Sequence, residues 1–342
     1  MAETERFELS IPCDIHAFQA GALDHYATSP FAFNVSKFAK NVKDNFSLNM
    51  FHDTHLHLEM LLKKLNLIDL EVLELDFDKS LHLAENTKSR IDELLINHEF
   101  VIQSTVSTRN FHLVKSLFSK NSKVEYLLGS HPEIVETGFD ISYYLDQQSN
   151  YLKVNHDKLN LVGIGEIGLD YHYTQAENLQ FSQDKNLHKI QQELFESQIE
   201  LAIELDLPIE IHCREAFEDT FAILLKYPKI HGKFDIHCFT GGKYEARKAL
   251  EMGAKLGIGG IVTFKNAQNL QEAVKFSPLE NLLLETDLPF LAPLPNRGKI
   301  CLPEYIDNVA DCVANLKNIP KAQVWQTSAD NAKMLFPNLE KK

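Results

Sequence analysis

The sequence predicts an α/β fold, a (β/α)8 TIM-type barrel with an N-terminal extension. Three observations predict it. Eight short apolar segments recur from Phe51 onward, and segments with helical periodicity separate them. Strands that alternate with helices imply βαβ units and a parallel sheet. Ionisable residues, four of them histidines, stand at the carboxyl ends of several of these segments, where such barrels place their active sites.

Each element follows in order. Strands are expected at 51–57, 100–106, 124–130, 160–166, 208–213, 233–238, 254–258 and 281–285. Helical patterns lie between them at Ile91–His98, Phe111–Ser119, Ile141–Val154, Asn186–Asp206, Glu215–Tyr227, Tyr244–Met252 and Gln268–Phe276. Two more helices are expected near Pro303–Asn315 and Lys321–Leu335. The connectors 59–90 and 167–185 are long, and long loops on the catalytic face are where barrels place specificity. Residues 1–50 have no strong period apart from a short helical pattern over 35–42. They are expected to form an extension that packs against the barrel or against a protein partner. The barrel then covers 51–337, and 338–342 is a tail.

Composition narrows the class. The chain has 342 residues, 44% of them apolar, enough for one barrel with a sizeable core. No run of 18 apolar residues exists, so no membrane span is expected, and the acidic start is unlike a signal peptide. The five cysteines are widely spaced with no C-x-x-C, which predicts reduced thiols and a cytoplasmic protein. Cys213 and Cys238 should point away from the site as small buried hydrophobes. The net charge of −14 argues against a protein that grips nucleic acid by neutralising phosphates. It leaves a nuclease open, because bound divalent cations reverse the local sign.

The chemistry concentrates in five strings. His55 and His57 lie two apart on the first strand, so both imidazoles project to one side, as a shared cation requires. Glu166 leaves the apolar run Leu161-Val-Gly-Ile-Gly, and a carboxylate buried there needs a cation or another partner. His212 ends Pro208-Ile-Glu-Ile-His212, and His237 ends Phe234-Asp-Ile-His237. Each alone suits a core histidine, but together with the H-x-H pair they indicate metal ligands. Asp287 follows Leu284-Glu-Thr; it shares a face with Glu285 and stands nearer the mouth, so Asp287 is assigned to the metal and Glu285 to a supporting role. Gly163-Ile-Gly-Glu-Ile-Gly168 spells a dinucleotide fingerprint, but a loop follows it where a helix is needed, so it is set aside. Asp14-Ile-His16 lacks a second histidine and is set aside too.

These strings, with Gly129-Ser-His-Pro132, Cys213-Arg-Glu-Ala216, Cys238-Phe-Thr-Gly241 and Asn296-Arg-Gly298, resemble the TatD family of metal-dependent deoxyribonucleases, over roughly 51–337. The resemblance implies two divalent metal ions, Mg or Mn for activity, and DNA as substrate partner, cut in a 3′-to-5′ exonuclease manner; the four imidazoles, on ligand softness, favour Zn, Mn or Fe and leave Zn as a bound form. It implies His55, His57, Glu166 and Asp287 around one metal. Glu166, His212 and His237 would hold the second. Asp287 and Glu166 would then be catalytic, and His131 and Arg214 would hold the substrate phosphate. Two departures fall on the substrate side. Glu133 stands where the family often has a second histidine, and Lys299-Ile-Cys301 follows Arg-Gly where an asparagine is common. Two other functions remain open: a hydrolase of small phosphoesters, lactones or amides on the same barrel, and the nuclease subunit of a larger complex joined through residues 1–50.

Overall fold

The computed structural model describes residues 51–68, 89–135, 140–159, 161–172 and 185–340. The expectations for 1–50, including Asp14 and His16, and for most of the two long connectors lie outside the described residues. Eight parallel strands pair in sequence order: β1 (Phe51–Leu56), β2 (His98–Gln103), β3 (Val124–Leu127), β4 (Leu161–Asp170), β5 (Ile209–Arg214), β6 (Phe234–Ile236), β7 (Lys255–Ile258) and β8 (Leu282–Leu284). The ring is drawn together between β8 and β1. Asp287 N–H donates to the His55 carbonyl at 3.0 Å, and His57 N–H donates to the Leu288 carbonyl at 2.9 Å. Asp53 ties the same seam, accepting from Thr286 N–H at 3.1 Å and from its hydroxyl at 2.6 Å.

Besides a short helical stretch over 89–94, the helices among the described residues are α1 (Leu58–Lys64), α2 (Thr108–Phe118), α3 (Ile141–Leu159), α4 (Lys185–Leu205), α5 (Phe217–Leu224), α6 (Lys243–Glu251), α7 (Gln268–Phe276), α8 (Ile306–Lys317) and α9 (Lys321–Leu335). Their apolar stripes face the sheet. In α4, Leu194, Phe195, Ile199 and Ala202 recur at helical spacing and are all buried. Helices and the strands they cover share one large core, as a covered parallel sheet requires, and a smaller cluster of Phe100, Ile102, Leu127, Val162 and Leu283 packs with Leu335 and Phe336. No helix among the described residues is long and apolar enough to cross a membrane.

Three of the boundaries that differ from expectation are informative. His98 opens β2 rather than closing a helix, which ends at residue 94. Pro303–Tyr305 is a 3-10 turn that leads into α8. The difference that bears on the site is in β4. It runs on to Asp170, because the ladder to β5 continues past Glu166 through Gly168↔His212, Leu169↔Cys213 and Asp170↔Arg214. Glu166 is therefore an interior strand residue, and the glycine string lies inside a strand. Gly168 has φ +143°, and a Cβ there would lie 2.0 Å from the His212 carbonyl oxygen. Its role is close approach of β4 to β5, with no phosphate-binding turn.

Candidate metal centre

All six residues assigned to metal from the sequence meet at the carboxyl end of the barrel. β1 projects His55, and His57 follows immediately as the chain turns into α1. Their Nε2 atoms lie 3.2 Å apart. On the far side, His212 Nδ1 and His237 Nε2 lie 3.1 Å apart. Two nitrogens bound to one tetrahedral cation at ordinary bond lengths stand about 3.3 Å apart. Both pairs therefore have the separation a shared cation demands.

Glu166 lies between the pairs. Its Oε1 is 2.6 Å from His237 Nε2 and 2.7 Å from His212 Nδ1. Its Oε2 faces the other pair, 3.9 Å from His55 Nε2 and 3.7 Å from His57 Nε2. Asp287 Oδ1 closes that side at 3.5 and 3.8 Å from the same two nitrogens. Asp287 gets there by leaving the strand. β8 ends at Leu284, and Asp287 has a left-handed backbone with φ 56°. Glu285 does not share its face. It is fully buried and accepts the Cys238 N–H, which holds the loop that carries His237. Among the described residues, groups of ligand atoms close enough to hold a cation include His55, His57 and Asp287; His55, Glu166 and His237; and His131, Glu166 and His212.

Carboxylates beside the outer nitrogens of His212 and His55 set which of their lone pairs face inward. His212 Nε2 is 3.0 Å from Asp170 Oδ2, so its N–H donates there and Nδ1 is left free for a cation. His55 Nδ1 lies 2.9 Å from Glu210 Oε2, which turns Nε2 inward. His131 works the other way. Its Nδ1 accepts the Glu133 N–H at 3.1 Å, so a neutral ring carries its proton on Nε2, 3.4 Å from Glu166 Oε1. His131 thus offers the site an N–H donor rather than a lone pair. Arg214 is half-exposed at the mouth, 4.0 Å from Asp170 Oδ2. Glu215, the next residue, pairs with His172.

The charges suit a cationic centre. Burial would raise the Glu166 carboxyl, but His237 and His131 outweigh it and hold it well below the usual range. Burial opposes protonation of His212, yet Asp170 and Glu166 raise it to about 10. Burial and the neighbouring His55 push His57 down to about 4. Without a cation, some of the imidazoles must supply the positive charge that these carboxylates require.

Sequence reasoning placed Glu285 in a supporting role and missed the rest of the layer beneath. Asp53, Glu210, Asp235 and Glu285 each stand two residues before a ligand and are fully buried. The signal was the same period of two that identified His55 and His57. Burial and the nearby Glu210 hold the Asp235 carboxyl well above the carboxylate range. Cys213 is buried as expected, 3.4 Å from the Thr220 hydroxyl. Cys238 is not. It follows the end of β6 with φ 43°, half-buried, and senses the charges of Asp287 and Glu285.

The profile of TatD-related DNases matches residues 52–337. An uncharacterized metal-dependent hydrolase of Buchnera aphidicola is 34% identical over 254 residues, 74% of this chain and 92% of that protein. YcfH of Escherichia coli K12, likewise described as an uncharacterized metal-dependent hydrolase, is 31% identical over 83% of this chain and 94% of its own length. The crystal structure of YjjV, a TatD homologue from Escherichia coli K12, superposes with a TM-score of 0.66 at 25% identity, covering 85% of this chain and 99% of that one. The chain belongs to the TatD family and is a metal-dependent hydrolase.

Proposed function

We propose that this chain is a deoxyribonuclease that hydrolyses DNA phosphodiesters with two divalent cations, bridged by Glu166. The observation that carries the reading is Glu166 itself, one carboxylate with an oxygen turned to each of two imidazole pairs. His55, His57, Glu166 and Asp287 would hold one cation. Glu166, His212 and His237 would hold the other. When bound, the cations supply the positive charge that makes a water acidic enough to attack and that offsets charge on the phosphate. Four imidazoles suit Zn, while phosphoryl chemistry favours Mg or Mn.

The remaining work falls to side chains. Asp287 touches the cluster and is 14% exposed, so it meets both the site and solvent. It orients the attacking water and takes its proton. His131 Nε2–H donates to a phosphate oxygen, and Arg214 sets its guanidinium against the same group. The buried Asp170 keeps Arg214 and His212 in place from behind.

End-labelled single-stranded DNA, RNA, a phosphotriester and a lactone, each with Mg, Mn or Zn, test the reading. The expected result is metal-dependent release of nucleotides from the 3′ end of DNA. Turnover of only the lactone or the phosphotriester would overturn it.

A further inference from the structure

Two cations flank the metal cluster, and they rise from opposite sides of the ring. Arg214 ends β5, and Lys64 ends α1, the helix that directly follows β1. In a ring ordered β1 to β8, strands one and five face each other across the mouth. Lys64 Nζ sits 4.5 Å from the ring centroid of Phe290, in the chain that follows β8. That ring in turn meets His57 edge-on, with centroids 6.4 Å apart. Lys64 is therefore fixed beside the His57–Asp287 half of the cluster, and Arg214 beside the His212 half.

Lys64 forms no ion pair among the described residues. The negative charge it senses is that of the candidate ligand Asp287, and partial burial lowers its ammonium from the ordinary range. A half-buried ammonium steadied by an aromatic face costs solvation, and an anionic partner would offset that cost. Phe290 supplies only part of the offset. A cation bound at the Asp287 side would draw that carboxylate's charge away from Lys64 and leave the ammonium free for a substrate anion.

We infer that Lys64, seated on Phe290, is a second phosphate anchor. It would hold a backbone phosphate next to the scissile one, across the mouth from Arg214. This rests on the phosphodiester reading and narrows it, because the substrate must then be a polyanion long enough to span both cations. A neutral lactone or amide has no use for either. The inference also explains how a chain of net charge −14 could take a nucleic acid: local cations at the mouth do what the overall charge does not.

The test is steady-state hydrolysis of an end-labelled single-stranded DNA octamer by the full chain at several salt concentrations. It compares wild type with Lys64→Met, Lys64→Arg and Phe290→Leu. The expected result is that Lys64→Met raises KM about tenfold, with the loss in KM rather than kcat. The slope of log(1/KM) against log[salt] should fall by about 0.7, one single-strand phosphate contact. Lys64→Arg should recover most of KM, and Phe290→Leu should lie between. If the wild type cuts the octamer and Lys64→Met matches it in KM and salt slope, the anchor is refuted and the nuclease reading stands. If the wild type cuts no octamer with Mg, Mn or Zn, both fall together.

Discussion

Replacing Asp170 with Asn isolates what the residue behind the metal cluster contributes. The two Asp170 oxygens each serve one donor. Oδ1 accepts the His172 N–H at 2.8 Å, and Oδ2 faces His212 Nε2 at 3.0 Å. Asparagine has one acceptor oxygen for these two donors. If the oxygen stays on His172, the amide NH2 meets His212 Nε2 and favours the tautomer protonated on Nδ1, the atom that faces Glu166. If it turns to His212, the partly buried His172 N–H loses its partner. Either outcome weakens the His212 side of the centre. Loss of such a support lowers metal affinity about 10- to 100-fold, equivalent to about 1.4–2.7 kcal/mol. Competition against a chromophoric chelator measures the Mn or Zn dissociation constant, and long-range nitrogen–proton NMR reads the His212 tautomer. An unchanged constant with His212 still protonated on Nε2 would refute the reasoning.

Other predictions follow from the same geometry. Glu166→Ala or Asp287→Ala should abolish metal-dependent hydrolysis while circular dichroism shows a folded barrel; retained turnover would remove both from the site. Gly168→Ala should destabilise by about 2 kcal/mol or more in urea titrations and weaken metal binding as well, since its methyl would meet the His212 carbonyl oxygen 2.0 Å away. At the opposite end of the barrel, burial holds His52 and His98 down to about 3. Unfolded histidine titrates near 6.5, so below that pH the unfolded chain binds protons that the folded chain does not, and stability falls. Each site contributes about 2 kcal/mol of loss between pH 7 and pH 5, so His98→Phe should shrink the difference in urea midpoint between those two pH values. An equal difference in the variant would contradict the assignment.

Much of this was legible in the sequence, for physical reasons. The strand–helix alternation fixed the order of the barrel, because covered strands read as apolar runs and their helices as period-3.6 stripes. His55 and His57 were legible through the period of two, and His212 through its place at the carboxyl end of a β-branched run. What failed was anything set by pairing or by a backbone turn. Glu166 looked terminal because glycine and a charge follow it, yet the ladder to β5 carries the strand on to Asp170. Asp287 and Glu285 looked like face-mates, but the strand ends before either, and a left-handed residue sends Asp287 alone to the site. Cys238 was misplaced for the same reason, since alternation stops with β6. Glu210 and Asp235 went unread although each obeys the period that identified the ligands, because a lone acid on an apolar strand does not reveal that four such strands align.

The most direct measurement is metal content after equilibrium dialysis against Mn or Zn, followed by elemental analysis, for wild type and Glu166→Ala. With Glu166 bridging two imidazole pairs, the wild type should retain two equivalents per chain and the variant one or none, with activity lost in parallel. A single equivalent in the wild type, unchanged in the variant, would contradict the bridged centre.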